Sequence, residues 1–156
     1  MRSVAFAHED DDATRRQLRR RAPDAIESDV PPEDIQRLIA DIRALFAGER
    51  RDLSYAALDD AELGAFERQV YAQSLKILPG EVKTYGDLAR ALGDVTLSQR
   101  VGQALGRNPF PIVVPCHRIV GASGVMTGFS APGGTDLKRR LLKIEGAIGP
   151  DLFDFA

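Results

Sequence analysis

The sequence predicts an α/β protein built of two small units, and three observations predict it. The chain has 156 residues with 44% hydrophobic and 28% charged side chains, an ordinary globular composition that suits one domain or two small halves. Up to about residue 57, short apolar stretches alternate with amphipathic helical periodicities, the signature of an α/β unit. Beyond residue 58 the helical period dominates, and two short helices joined by a glycine-containing turn suggest a helix-turn-helix.

In the first unit, residues 3–7 read as a short strand, followed by acids from Glu9 to Asp12 and an Arg-rich helix over residues 13–21 stopped before Pro23. Ala25 and Ile26 suggest a brief strand. Pro31 and Pro32 then open a helix whose apolar positions Ile35, Leu38, Ile39, Ile42, Leu45 and Phe46 follow the 3.6-residue period, with Gly48 as its C-terminal stop. Residues 50–55 supply a third extended piece. Such a thin sheet must lean on the second unit for stability.

In the second unit, Asp59 and Asp60 offer N-cap chemistry for a helix with Phe66, Val70, Tyr71, Leu75 and Leu78 on one face, closed by Pro79-Gly80. Residues 84–93 form a short helix with Tyr85, Leu88, Ala89 and Leu92 inward. Leu97, Val101, Ala104 and Leu105 mark another that ends near Arg107. Generic helical hairpins share this pattern, so it does not by itself mean DNA. Asn108-Pro109-Phe110-Pro111 breaks the helix, Ile112, Val113 and Val114 read as a buried extended run, and Val125 and Met126 return after a turn. A last helix carries Leu137, Leu141, Leu142 and Ile144 on one face and Lys138, Arg139, Arg140 and Lys143 on the other.

Charge is distributed unevenly. Residues 1–78 hold 12 Lys or Arg against 16 Asp or Glu, a balance of -4, whereas residues 79–156 hold 9 against 7, a balance of +2. Between Lys83 and Lys143 all 9 of those bases face three acids, Asp87, Asp94 and Asp136, so the second half can present a basic face to phosphates. No apolar run reaches the length of a membrane span and the first residues lack a secretory pattern, which makes the cytoplasm the expected compartment and argues against a membrane partner. A single cysteine excludes an intrachain disulfide, and one Cys with two His cannot assemble a zinc site.

That cysteine, Cys116, lies between Pro115 and a His-Arg pair able to favour the thiolate, although a lone cysteine is more often a small buried hydrophobe. Adjacent residues on an extended strand point opposite ways, so His117 would act on the thiol through a bent backbone or a bridging water. The other histidine, His8, sits in the acidic leader and reads as solvated.

Pro115-Cys116-His117-Arg118, preceded by Asn108-Pro109 and followed by Gly128-Phe129-Ser130 and Leu141-Leu142-Lys143-Ile144-Glu145-Gly146, resembles the active-site signature of the O6-alkylguanine-DNA alkyltransferases, the methylated-DNA-protein-cysteine methyltransferases. The resemblance extends upstream through Phe66-Glu67-Arg68-Gln69-Val70-Tyr71 and the stretch from Pro79-Gly80-Glu81 to Gly86-Asp87-Leu88-Ala89, covering roughly residues 58–147.

The resemblance implies a truncated ribonuclease-H-like N-terminal α/β domain over residues 1–57 and a mainly helical, winged-helix-like C-terminal domain with the helix-turn-helix over residues 58–156. It also implies a single-turnover methyltransferase that repairs DNA, needs no cofactor and acts as a monomer on duplex DNA carrying alkylated guanine, with O4-alkylthymine as a further substrate. Its cysteine takes the alkyl group from a base flipped out of the stack, because the carbon cannot be attacked in line inside the duplex. Cys116 becomes the acceptor, His117 the base acting through a water and Glu145 the holder of its tautomer. Tyr85 would assist protonation of the leaving guanine. Asn108 would brace the active-site turn, although a plain helix stop explains it equally. Phe129 and Ser130 would lie in the loop over the flipped base, and the Val114 carbonyl would read the guanine amino edge. Thr96, Ser98, Gln99, Arg100, Gly102, Arg107 and Arg118 would face DNA, the helix entering the minor groove.

Two departures from the family pattern stand out. Where relatives carry the arginine that fills the gap left by the flipped nucleotide, this chain has Gln99, with Arg100 displaced by one residue, or about 100° around the helix. The front of the chain is also shorter than the family's N-terminal domain. The Gln99 substitution keeps open a rival reading, a lesion-binding protein with weak transfer. A cysteine hydrolase would need an oxyanion hole for which nothing else in the chain argues.

Overall fold

The computed structural model describes residues 1, 3–4, 10–126 and 128–149, so His8 and most of the first expected strand lie outside the described residues. Six α-helices and one small sheet organise those that are described.

Helix α1 spans Asp11–Arg21 and is capped by Asp10, whose carboxylate accepts from the Ala13 backbone amide, with Asp11 and Asp12 in the first turn and Arg19, Arg20 and Arg21 in the last. The acids expected to precede this helix instead start it, because carboxylates favour the positive end of the helix dipole. Helix α2, Glu33–Phe46, follows Pro32 and buries Leu38 and Leu45, while Gly48 takes φ 103° just past its end. Between and after these helices the expected strands at residues 25–26 and 50–55 are absent, and no strand occurs among the described residues up to 57. Ile26 is 92% exposed, and Leu53 is the one buried side chain of the other stretch. An extended segment that pairs with no neighbour gains no ladder hydrogen bonds.

Helix α3 covers Ala65–Ser74 and begins after Gly64, so Asp59 and Asp60 do not cap it, and Leu78 lies beyond its end, half exposed. Strand β1, Lys83–Thr84, runs directly into α4, Tyr85–Ala91, through a capping box in which Thr84 and Asp87 bond each other's backbone amides. A 3-10 turn at Val95–Leu97 then leads into α5, Ser98–Gly106, completing the helix-turn-helix. Val101, Ala104 and Leu105 are buried as the periodicity predicts. The Tyr71 hydroxyl donates to the Ala104 carbonyl at 2.9 Å, pinning α3 to α5.

The expected extended run at residues 112–114 is a tight turn instead. Ile112 has φ 73°, costly for a β-branched residue, and Val114 returns its amide to the Phe110 carbonyl at 2.8 Å. Cys116–Arg118 form a 3-10 turn and strand β2, Ile119–Val120, pairs parallel with β1, Lys83 beside Ile119 and Thr84 beside Val120. Val125 and Met126 form no returning strand. Helix α6, Gly134–Ile144, buries Leu141 and Leu142, and also Lys138, expected on the opposite face. Leu38, Leu45 and Leu53 join residues of α3 to α6 in one hydrophobic cluster. No helix among the described residues is long and apolar enough to cross a membrane.

Candidate active site

The parallel pairing of β1 with β2 brings the start of the helix-turn-helix beside the Cys-His-Arg turn, and everything chemical follows from that placement. Asn108 holds the turn from inside. Its Oδ1 accepts from the Phe110 amide at 2.9 Å and its Nδ2 donates to the Val114 carbonyl at 3.0 Å. Cys116 also donates its amide to Val114, so that carbonyl, expected to read a guanine edge, already accepts two hydrogen bonds.

His117 is fully buried, and its Nε2 lies 3.1 Å from Glu145 Oε1. Glu145 is likewise fully buried and accepts from Arg118 Nε at 2.8 Å and from its terminal nitrogen at 2.7 Å. Arg118 donates in addition to the Ile77 carbonyl. This overturns the expectation that Arg118 faces DNA. Its guanidinium is enclosed and paired, because a buried carboxylate needs a fixed cation more than the surface needs another arginine. The carboxylate is placed by the end of α6, where Gly146, at φ 72°, gives its amide to Lys143 while the next amide returns to Leu142.

Electrostatics follow from burial. Burial pushes the Cys116 thiol up, opposed by a hydrogen bond from Asn108 and the charge of Lys138, so the resting sulfur is protonated. Burial lowers His117 against the pull of Glu145, leaving the imidazole neutral. Burial alone would raise the Glu145 carboxyl, but hydrogen bonds from His117 and Arg118 outweigh it and hold the group down at about 2. An ionised Glu145 accepts a proton-bearing Nε2, which leaves the lone pair on Nδ1, and that buried atom bonds no described group.

Cys116 opens into a small cavity also lined by Asn108, Pro111, Phe129, Ser130 and Pro132. Tyr85 is half-buried on α4, and its ring faces Gly102, where an added Cβ would stand 3.6 Å from it. On the other side of the helix-turn-helix, Thr96 and Gln99 are exposed. Thr96 is bonded to Asp94, and Ser98 to the Val95 carbonyl. Arg100 turns away and stacks 4.0 Å from the Phe66 ring centre, and Arg107 pairs with Glu67 at 2.9 Å.

Lys138, missed in the sequence, donates to the Ile119 carbonyl from a fully buried position. A signal existed: residues 138, 141, 142 and 145 share one helical face, so Lys138 and Glu145 belong to the buried stripe of Leu141 and Leu142. Among the described residues no group of three or more His, Cys, Asp or Glu is arranged to hold a metal.

Comparison with known proteins bears on this arrangement. Residues 65–147 match the family description 6-O-methylguanine DNA methyltransferase, DNA binding domain. A methylated-DNA–protein-cysteine methyltransferase of Methanosarcina acetivorans is 40% identical over 107 residues, 68% of this chain and 65% of that protein. Among solved structures, Mycobacterium tuberculosis OGT in complex with DNA is 37% identical with TM-score 0.60, covering 69% of this chain and 63% of that one. The O6-methylguanine-DNA methyltransferase of Pyrococcus kodakaraensis KOD1 is 33% identical with TM-score 0.68, covering 92% and 85%. The chain thus spans slightly under two thirds of the first two relatives.

Proposed function

Since the chain belongs to the family of methylated-DNA–protein-cysteine methyltransferases, we propose that it repairs duplex DNA by taking the alkyl group of O6-alkylguanine irreversibly onto Cys116. O4-alkylthymine is the second candidate substrate. The observation that carries this reading is the buried chain of hydrogen bonds behind the one cysteine, with neutral His117 held by an ionised Glu145 that Arg118 neutralises.

In the proposed reaction His117 Nδ1 takes the thiol proton through a water, and Glu145 stabilises the imidazolium that results. The sulfur attacks the alkyl carbon, an S–C bond forms as the C–O6 bond breaks, and the electron pair leaves with guanine. Tyr85 supplies a proton on the guanine side. Asn108 keeps the turn in place, and Phe129 and Ser130 cover the flipped base. Helix α5, with Ser98, Gln99 and Gly102, enters the minor groove, flanked by Thr96 of the preceding turn and Arg107 just past its end. In this reading residues 58–156 form the reacting unit, residues 1–57 support it, and the protein acts as a monomer.

A lesion-binding protein without efficient transfer is the second reading, favoured only by Gln99 in the place of the family's arginine. Intact mass spectrometry after incubation with duplex DNA carrying O6-methylguanine separates the two. One added methyl mapping to Cys116, with no second turnover, is the expected result. An unchanged mass with retained binding would favour the second reading, and continuing release of product would overturn both.

A further inference from the structure

We propose that α1 is a lid on the cysteine pocket, closed in this structure and displaced when a base enters. The proposal rests on the transfer reading of the same pocket and adds to it an element of the supporting unit.

Part of the pocket's lining comes from outside the unit that carries the cysteine. Gln17 and Arg21 of α1, with Val4, line it together with Cys116 and the loop at Phe129 and Ser130. With that lining in place the cavity measures about 40 Å³, room for roughly three water-sized spheres, whereas pockets that bind small organic ligands begin near ~300 Å³. A purine cannot occupy it unless something moves.

The element best able to move is α1. None of its side chains is buried, whereas every other helix of more than one turn buries at least two. Arg15 and Arg19 pair with Glu27, and Arg21 bonds the Ser3 hydroxyl at 3.3 Å, all at exposed positions where such contacts contribute little. Segments with few buried apolar contacts are those that open locally at low cost. Charge supplies a direction. Five arginines, Arg15, Arg16, Arg19, Arg20 and Arg21, stand on α1, and Arg20 and Arg21 share a second cleft with Arg107 just past α5. A strand that delivers a base to Cys116 must pass alongside α1, and its phosphates compete for these arginines.

The test uses the full chain and N-ethylmaleimide, whose reaction with the single thiol does not depend on DNA repair. The Gln17→Ala, Arg21→Ala double variant is expected to be labelled about tenfold faster than the parent, the change that follows from losing roughly 1.4 kcal/mol of closing contacts. Its melting temperature should fall by no more than about 5 °C, the shift that a loss of that size implies. Equal labelling rates overturn the lid. Should the variant fold poorly, hydrogen exchange on the parent decides. Amides of α1 exchanging at least about a hundredfold faster than those of α5 support the lid, and equal protection overturns it. A free O6-alkylguanine base separates this inference from the one beneath it. Faster labelling without any alkyl adduct leaves the lid standing and removes the transfer reading, whereas an adduct formed with unchanged labelling does the reverse.

Discussion

Glu145 shows how a single carboxylate organises this site. It sits at the end of α6, fully buried, and accepts hydrogen bonds from both His117 and Arg118. Removing its charge leaves Arg118 enclosed without a counter-ion, and breaking a buried pair in this way costs about 3–5 kcal/mol. Glu145→Gln is therefore expected to lower the unfolding free energy read from urea denaturation by that margin and to slow alkyl transfer, since the imidazolium formed at His117 loses its support. A denaturation curve that overlays the parent's would show that the network contributes nothing. The residues of this network are all visible as letters, but nothing local announces that Arg118 has a partner 27 positions away rather than on DNA.

At the scale of the element, α5 combines an anticipated feature with a new one. Its buried face follows from period alone, but the resemblance puts Arg100 toward DNA. The structure stacks it on Phe66 of α3, while Gln99 stays exposed. Gln99→Arg would restore a charged planar group to the exposed position, and a hydrogen bond to a charged group contributes about 1.5–3 kcal/mol. Transfer from methylated duplex DNA is expected to accelerate about tenfold, with the rate on the free base unchanged. Equal duplex rates for the two proteins would refute a role for this position in flipping. Helices were legible because their apolar spacing is local. The extended pieces expected at residues 25–26, 50–55 and 112–114 form no strand because an apolar run specifies one only when a partner edge exists, and among the described residues the sheet is limited to the two-residue pairing of β1 with β2.

For the whole molecule, the buried titratable groups set how stability depends on pH. Below about 6.5 the unfolded chain protonates His117 while the folded chain resists, so stability falls as pH drops. Glu145 acts in the same direction. Its folded value of about 2 lies under the unfolded 4.5, so the stabilisation it contributes is present above 4.5 and is lost as pH falls toward 2. Burial of the Cys116 thiol opposes ionisation, so stability declines again as pH rises past about 9. Melting temperature is expected to fall steadily from pH 7 to pH 3, and the Glu145→Gln variant should lack the lower part of that decline. A flat profile in the parent would contradict the buried charge network.

By itself the sequence determined the family, singled out Cys116, His117 and Glu145 as candidates, and marked the helices of the second half, because each is written in adjacent letters or in short-range periodicity. Tertiary structure alone decided that Arg118 and Lys138 are interior groups, that residues 110–114 turn rather than extend, and that α1 reaches across to line the cysteine pocket. Those outcomes depend on which distant surfaces meet, and burial, which sets both the pairing of charges and the affinity of each group for protons, exists only once they have met.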